Sequence, residues 1–561
     1  MTFSVAHSSE FDRVRGLPQR VPTQADAEEC AAALSPRYAL SPDARLLPWQ
    51  AYALAEIAQV GGGYLALPVG MGKTLISYLA PLAVGAKRIL FVVKGRSLVD
   101  KTDHDYAAYR GVWRGPEHPI RIVTLEWLST ASASTFLDQY APDCIVIDEV
   151  DDLASTQNAA VLRIDRYVRA RRQAGLRLAV IAMTGTPVRK SIMGVWHVLC
   201  WCLDEGAPVP LSEPEARMWA LAVDDHSGRR PQPGPLGATV DQARAWLRHR
   251  WATTPGVLMV DQDSCGAPLT VRTRIARPCA ETDKHMARLL VEQENPGGIP
   301  VVDPLGLALL DSQIGLGLYS YWDPPPPEAW YIARRAVARF VRARIESSQR
   351  SSRPLDTEGQ VLRAYADHPI VIEWLRVKPA FDDDANRRIS WFSRAALDSC
   401  HDWLRELDAP GIVWCGSVEF GRHLAREAGR AYYGRQGRTD QGQSILAAPK
   451  GVPLVASWQA NKKGLNLQAW PRQLITAPPQ SAKWLEQIIG RSHRQGQDEH
   501  VVIDVLATSG GTLDSFERAL TEAQFARDIV SLSQKILRAD VVRAEPIITK
   551  SSEFRWARKQ Q

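Results

Sequence analysis

An apolar run that stops at a glycine-rich turn and resumes as an apolar helix constrains this chain more than any other feature. Leu65-Ala66-Leu67-Pro68-Val69 leads into Gly70-Met71-Gly72-Lys73-Thr74, and Leu75-Ile76-Ser77-Tyr78-Leu79-Ala80 follows with helix-compatible residues. This strand, loop and helix order is what a phosphate-binding loop requires. Glycines let backbone N–H groups turn toward phosphate oxygens with no Cβ in the way, and a helix beginning near Lys73 adds the positive end of its dipole. Lys73 is expected to reach the β and γ phosphates of a nucleoside triphosphate, and the Thr74 hydroxyl to ligate Mg²⁺. Leu67 stands where the longer form of such a loop carries its first glycine. A glycine-rich turn before a surface helix is therefore the alternative, and partners elsewhere in the chain must decide.

A chain of 561 residues is too long for one compact core, and two to four domains are expected. Hydrophobic residues at 45% and charged residues at 23% describe an ordinary globular protein. No apolar run approaches the roughly 20 residues of a membrane span, and the N-terminus lacks the basic-then-apolar order of a secretory leader, so a cytoplasmic protein without membrane contact is expected. The eight cysteines are scattered; the nearest pair, Cys200 and Cys202, has the wrong spacing for a zinc knuckle or a thioredoxin-type site. They read as reduced, mostly buried small hydrophobes. Twelve histidines show no metal-binding spacing, so no metal beyond a nucleotide-bound Mg²⁺ is expected. A net charge of +6 permits a polyanionic partner without requiring one. The eighteen tryptophans read as core packing rather than as platforms for bases.

Residues 1 to about 40 read as polar and irregular, with a short helix near 25–34. Leu46-Leu47-Pro48-Trp49-Gln50 opens a helix whose Ala51, Leu54, Ala55, Ile57 and Ala58 share a face, and Gly61-Gly62-Gly63 ends it. Beyond the loop, strand-like runs at 88–93, 120–125, 144–147 and 178–183 alternate with helical or polar segments, the rhythm of a parallel sheet covered on both faces. Residues 206–395 have proline- and glycine-rich breaks and few long β runs. Within them a helix over 328–350 carries Arg334, Arg335, Arg339, Arg342, Arg344 and Arg350 against Glu328 and Glu346, which is either a solvated face or a phosphate-contacting one. From about 396 the α/β alternation returns, with strands at 411–415, 453–457, 473–477 and 500–506 and a last helical stretch at 513–537.

Three further constellations carry chemistry. Ile145-Val146-Ile147-Asp148-Glu149 is an apolar strand ending in two carboxylates, followed by Val150-Asp151. Nucleotide hydrolysis needs one carboxylate to hold Mg²⁺ through its water shell and another to orient or deprotonate the attacking water. Met183-Thr184-Gly185-Thr186-Pro187 also follows a strand; its hydroxyls can link a nucleotide site to an adjoining surface, or it is a plain turn. Far downstream, Gln487-Ile488-Ile489-Gly490-Arg491-Ser492-His493-Arg494-Gln495-Gly496-Gln497 sets two arginines three apart, and a guanidinium aimed at a γ-phosphate stabilises transition-state charge.

Together, in this order, these motifs resemble those of superfamily-two helicases and, within them, the Swi/Snf-type DNA translocases, over about residues 45–535. The resemblance implies two RecA-like parallel-sheet domains flanking an ATP cleft, with a largely helical insertion between them. Gln50 is similar to the adenine-reading glutamine, Gly70, Met71, Gly72, Lys73 and Thr74 to motif I, Asp148 to Asp151 to the Asp-Glu box, and Thr184-Gly185-Thr186-Pro187 to motif III. Ala456 to Gln468, with Gly464-Leu465-Asn466-Leu467, resembles motif V and Gln487 to Gln497 motif VI, which places Gly464, Asn466 and Gln487 on the nucleotide. The Swi/Snf branch is favoured by Gly-Arg-Ser-His-Arg-Gln-Gly-Gln, by the helix 192–203, by residues 247–250 as a helical protrusion with a strand near 267–271, and by Gly511-Thr512-Leu513 before a brace helix. Departures are Leu47, Arg189-Lys190 and Ala477-Pro478-Pro479-Gln480, and no chromatin-reading module is appended; a compact bacterial or phage member is implied.

The expected layout is an N-terminal segment (1–40), a first RecA-like domain (41–205), helical protrusions and linker (206–395), a second RecA-like domain with its brace helix (396–540) and a basic tail (541–561). The expected activity is ATP-dependent translocation on double-stranded DNA. Lys73 and Thr74 would hold phosphate and Mg²⁺, Asp148 the metal and Glu149 the water, with Arg491 and Arg494 on the transferred charge. Arg334, Arg335 and Arg339 are the candidates for DNA contact. A monomer is expected, with protein partners in replication, recombination or phage biology. Two alternatives are a strand-separating or branch-migrating helicase, and a nucleic-acid-binding scaffold without ATPase activity. No strand-separating pin is visible in the sequence.

Overall fold

The computed structural model describes residues 4–544 apart from 69, 154–157, 187, 189–190, 225–229, 263–264, 300, 302–303, 349–354 and 462–464. The chain divides into two compact units. The first holds Met1–Ser264, Arg335–Ile372 and Gln524–Ser533; the second holds Cys265–Arg334, Glu373–Ala523 and Gln534–Gln561.

The first unit is built on six parallel strands: β1 (Gly63–Ala66), β2 (Ile89–Val93), β3 (Ile120–Thr124), β4 (Cys144–Asp148), β5 (Ala179–Thr184) and β6 (Val257–Met259), in the order β3-β2-β4-β5-β1-β6. The central strands are buried along nearly their whole length, as a sheet covered on both faces demands. Side chains alternate between two cores: Tyr64, Ala66, Ile145 and Ile147 enter one, and Leu65, Leu67, Cys144 and Val146 the other. Leu67 thus continues the alternation of β1 past its last paired residue. The helix Pro48–Val60 starts on proline at its first position and stops at Gly61, whose φ of +82° suits a residue without a Cβ.

The second unit has seven parallel strands: β7 (Leu269–Ile275), β10 (Gly411–Cys415), β11 (Tyr432–Tyr433), β12 (Leu454–Ser457), β13 (Arg472–Ile475), β14 (Val501–Ala507) and β15 (Asp540–Val542), ordered β11-β12-β10-β13-β14-β7-β15. An antiparallel pair, β8 (Leu318–Trp322) with β9 (Arg387–Trp391), stands apart from it. The two sheets are the two RecA-like α/β domains expected, and the stretch between them is rich in helix.

Several local expectations change. The N-terminal 40 residues are mostly helical, over Ser9–Gly16 and Gln24–Tyr38. Ser8 caps the first helix by accepting from the Phe11 N–H, and Thr23 with Asp26 forms a capping box on the second. Phe11 and Val14 are buried in the first unit's core. Residues 247–250, likened to a protrusion, lie in the helix Val240–Thr253, whose Ala243, Leu247 and Trp251 recur on one face and are buried in that same core. The final helix is Gly510–Val530; Phe525, Ile529 and Val530 at its far end also belong to the first unit's core. The arginine-rich helix runs Glu328–Ser348, and Arg350 lies outside the described residues.

Candidate active site

Three of the expected motifs end three adjacent strands at one level. Ala66 of β1 pairs with Thr184 of β5, and Asp148 of β4 pairs with Met183 of β5. All three strands run parallel, so the loop after β1, the acidic pair closing β4 and the threonine closing β5 share the carboxyl edge of the sheet. That edge is where α/β sheets take ligands. β1 and β4 flank β5, which puts their ends about 10 Å apart at the usual strand spacing of about 4.8 Å.

The loop is held by polar contacts that its residue types explain. The Leu67 N–H donates to the Thr184 carbonyl at 2.9 Å. The Lys73 ammonium donates to the carbonyls of Leu67 and Pro68 at 2.8 and 3.1 Å. Gly70 and Gly72 have φ of +100° and +69°, the left-handed region that L side chains avoid, and Gly72 is the N-cap of the helix Lys73–Ala83. A Cβ on Gly72 would stand 2.0 Å from the Gln50 side-chain nitrogen. Gln50, buried at the first turn of its own helix, accepts from the Leu47 N–H at 2.9 Å and donates to the Met71 and Gly72 carbonyls at 3.3 and 3.4 Å. The glutamine expected to read adenine is therefore also built into the loop's back wall.

At the end of β4 the Glu149 N–H donates to the Asp148 carboxylate at 3.1 Å, and Glu149 has φ of +56°. A glutamate in this region carries backbone strain on the order of 1–3 kcal/mol, of the kind that gathers at reactive sites. Both carboxylates are partly exposed. Thr184 is fully buried and its hydroxyl accepts from the Thr186 N–H at 2.9 Å, which folds residues 184–186 into a tight hydroxyl-lined turn next to the loop. Gly185 sits at its apex, and Pro187, Arg189 and Lys190 lie outside the described residues.

The donor set fits a magnesium nucleotide. A lysine and a threonine open a helix behind a loop turned by two positive-φ glycines, and a strained carboxylate pair lies at the same sheet edge. The residues for Mg²⁺ would be Thr74 and Asp148, with Lys73 on the phosphates.

In the second unit, the stretches likened to motifs V and VI are laced together by hydrogen bonds. Arg491 is buried and donates to the carbonyls of Gln487 and Leu465, both at 2.8 Å; Arg494 donates to the same Leu465 carbonyl at 3.3 Å. Burial lowers the Arg494 pKa from its ordinary value, but an arginine stays protonated there. The Leu467 N–H donates to the Arg491 carbonyl at 3.0 Å. Ser492, buried, donates to the Trp470 carbonyl at 2.7 Å and accepts from the Gln473 side chain at 2.9 Å. Gln487 is buried with a side-chain oxygen that has no partner among the described residues, Asn466 is exposed, and Gly464 lies outside the described residues.

The helix Glu328–Ser348 exposes Arg334, Arg335 and Arg339. Arg334 stacks over Trp330 with its guanidinium carbon 4.8 Å from the ring centre. None of the three pairs with a carboxylate among the described residues. The division between the units falls between Arg334 and Arg335.

One buried ion cluster was missed by the sequence reading. Asp356 accepts from Arg163 at 2.9 Å and from Arg166 at 2.8 Å, and Arg163 also donates to the Leu128 and Thr130 carbonyls. The partners are about 190 residues apart, and a single aspartate in a polar stretch carries no mark of such a role.

Residues 43–189 match the family model described as type III restriction enzyme, res subunit. That family is a superfamily-two helicase-like ATPase domain, and the matched stretch of this chain runs from before Gln50 through the loop and the acidic pair to beyond Thr186. No curated protein matches the chain. Among the described residues no helix is long and apolar enough to cross a membrane.

Proposed function

We propose that the chain is an ATP-dependent translocase on double-stranded DNA, of the Swi/Snf type, working as a cytoplasmic monomer in a bacterial or phage-infected cell. The observation that carries the ATPase part is the shared level of Ala66, Asp148 and Thr184 on three neighbouring parallel strands. In this reading Lys73 and the backbone N–H groups of 70–74 hold the phosphates, and Thr74 and Asp148 hold Mg²⁺. Bound Mg²⁺ neutralises charge on the phosphate oxygens. Glu149 takes the proton of the attacking water, and Gln50 reads the adenine edge. From the second RecA-like domain, Arg491 and Arg494 stabilise the transferred charge, and Gly464, Asn466 and Gln487 complete that side of the nucleotide. The turn Thr184, Gly185, Thr186 couples nucleotide state to the DNA-facing surface, and Arg334, Arg335 and Arg339 contact the phosphate backbone. Opening and closing of the cleft around ATP would step the two domains along the duplex.

The res-subunit match supports nucleic-acid-dependent ATPase chemistry in general; the choice of translocation on duplex rests on the motif VI string and on the lack of a separating pin in the sequence. Displacement of a third strand from a triplex, with Glu149→Gln as control, tests it. ATP-dependent displacement without unwinding of a forked duplex is expected, and efficient fork unwinding would favour a strand-separating helicase instead.

A further inference from the structure

Besides Gln50, a second polar tether reaches the first turn of the helix Lys73–Ala83. Ser77 donates to the Thr74 carbonyl at 2.7 Å, so its only hydroxyl proton is committed. The Tyr106 hydroxyl lies 2.8 Å from Ser77 Oγ and must then be the donor of that bond. Ser77 is 1% exposed and Tyr106 3%. The two bonds run in one direction, Tyr106 to Ser77 to Thr74, and bonds so chained polarise one another. Burial, reinforced by the nearby Asp148 carboxylate, pushes the phenol well above its ordinary pKa, so Tyr106 remains a neutral donor at any working pH. Its ring is fixed independently, with centroids 5.1 Å from Tyr78 and 5.9 Å from Phe91, and the helix Arg96–Tyr109 anchors it.

We propose that Tyr106 and Ser77 are positioning residues for Thr74, a buried hydroxyl brace that sets the first helical turn so that the threonine can serve as a Mg²⁺ ligand. This rests on the nucleotide-site reading above. Neither residue touches the nucleotide in this assignment; both act through the Thr74 backbone. Gln50 donates to the carbonyls of Met71 and Gly72 and the brace holds the carbonyl of Thr74, so main-chain carbonyls on both sides of Lys73 in sequence are tied to buried side chains.

The experiment is binding of a fluorescent ATP analogue to the full chain, titrated with Mg²⁺ and repeated in EDTA, for wild type, Tyr106→Phe, Ser77→Ala and the double variant. Tyr106→Phe removes one oxygen and leaves the ring packing, so it should fold. The Mg²⁺ midpoint should rise about fivefold in each single variant, the effect of about one hydrogen bond. The double variant should shift no further, because the chain acts as a unit. Affinity in EDTA should be unchanged. A purely structural role would lower the melting temperature and leave the midpoint alone. Wild-type binding with unmoved midpoints in both single variants, or shifts that add in the double, would overturn the brace alone. A wild type that binds no analogue in either condition would overturn the nucleotide-site reading and the brace with it.

Discussion

The ammonium of Lys73 donates to the main-chain carbonyl of Leu67 at 2.8 Å, and Leu67 is the residue that replaces the first glycine of the longer loop. Its side chain is 1% exposed, packed with Leu65 in the core, while its N–H is bonded to Thr184. The leucine therefore continues the side-chain alternation of β1 into the loop, and among the described loop residues Gly70 and Gly72 have positive φ. The shorter glycine pattern has a structural reason.

Lys73→Ala should abolish hydrolysis with little loss of stability, since the side chain is partly exposed and its hydrogen bonds among the described residues go to two carbonyls. Removing a charged donor from a phosphoryl-transfer site costs about 3 kcal/mol of transition-state stabilisation or more, at least about 100-fold in kcat. Steady-state ATPase rates beside a thermal melt check it.

Gly72→Ala should fail for two separable reasons, the left-handed φ and the collision with the Gln50 side chain. A stability loss of at least about 1 kcal/mol is expected, with loss of nucleotide binding. Adding Gln50→Ala should recover part of the stability but not the binding, since the backbone strain stays. Denaturant melts and nucleotide titration separate the two.

Breaking the Asp356 cluster should destabilise the chain without touching the nucleotide. The carboxylate is 1% exposed, and Asp356→Ala leaves the buried Arg163 guanidinium uncompensated, a cost of about 3–5 kcal/mol. Burial alone would raise the Asp356 pKa, but hydrogen bonds from Arg166 and Arg163 outweigh it and hold the group below the usual carboxylate range. A depressed folded-state pKa gives stability that is present above the unfolded value of about 4 and is lost as the pH falls from there through the folded value. Wild type should therefore lose part of its advantage over Asp356→Ala in melts below about pH 4.

Replacing Arg334, Arg335 and Arg339 together by alanine should reduce the slope of log K against log salt for duplex DNA by about 2.7, if each neutralises one phosphate at about 0.9 per contact. Basal ATPase activity without DNA should not change. An unaltered slope would return this helix face to solvent.

The sequence disclosed the parts of the fold that depend on local pattern. Ile145-Val146-Ile147 read as a buried strand from its β-branched run ahead of two carboxylates, and the glycine turn before Lys73 marked a strand before it and a helix after it. β8 and β9 escaped because buried, half-buried and exposed residues mix Tyr, Ser and Arg in them, leaving neither a continuous nor a clean alternating run. β6 is three residues long, too short for any period. The helix Ser9–Gly16 has Phe11 and Val14 as its buried apolar residues, too few to show a period. The motif residues on the first unit were legible as types, but their common level at the sheet edge follows from strand order, which no linear pattern encodes. Tyr106, Ser77 and Asp356 were invisible for the same reason: each matters through a partner brought close by tertiary packing.

The most direct test is the ATPase rate of the purified chain with no nucleic acid, single-stranded DNA, duplex DNA, forked DNA and RNA compared side by side, with Glu149→Gln as the control. The account predicts strong stimulation by blunt duplex DNA, at least as great as by the other polymers, and a Glu149→Gln variant that binds ATP and DNA but does not turn over. A rate unaffected by any nucleic acid, or equal turnover by Glu149→Gln, would contradict it.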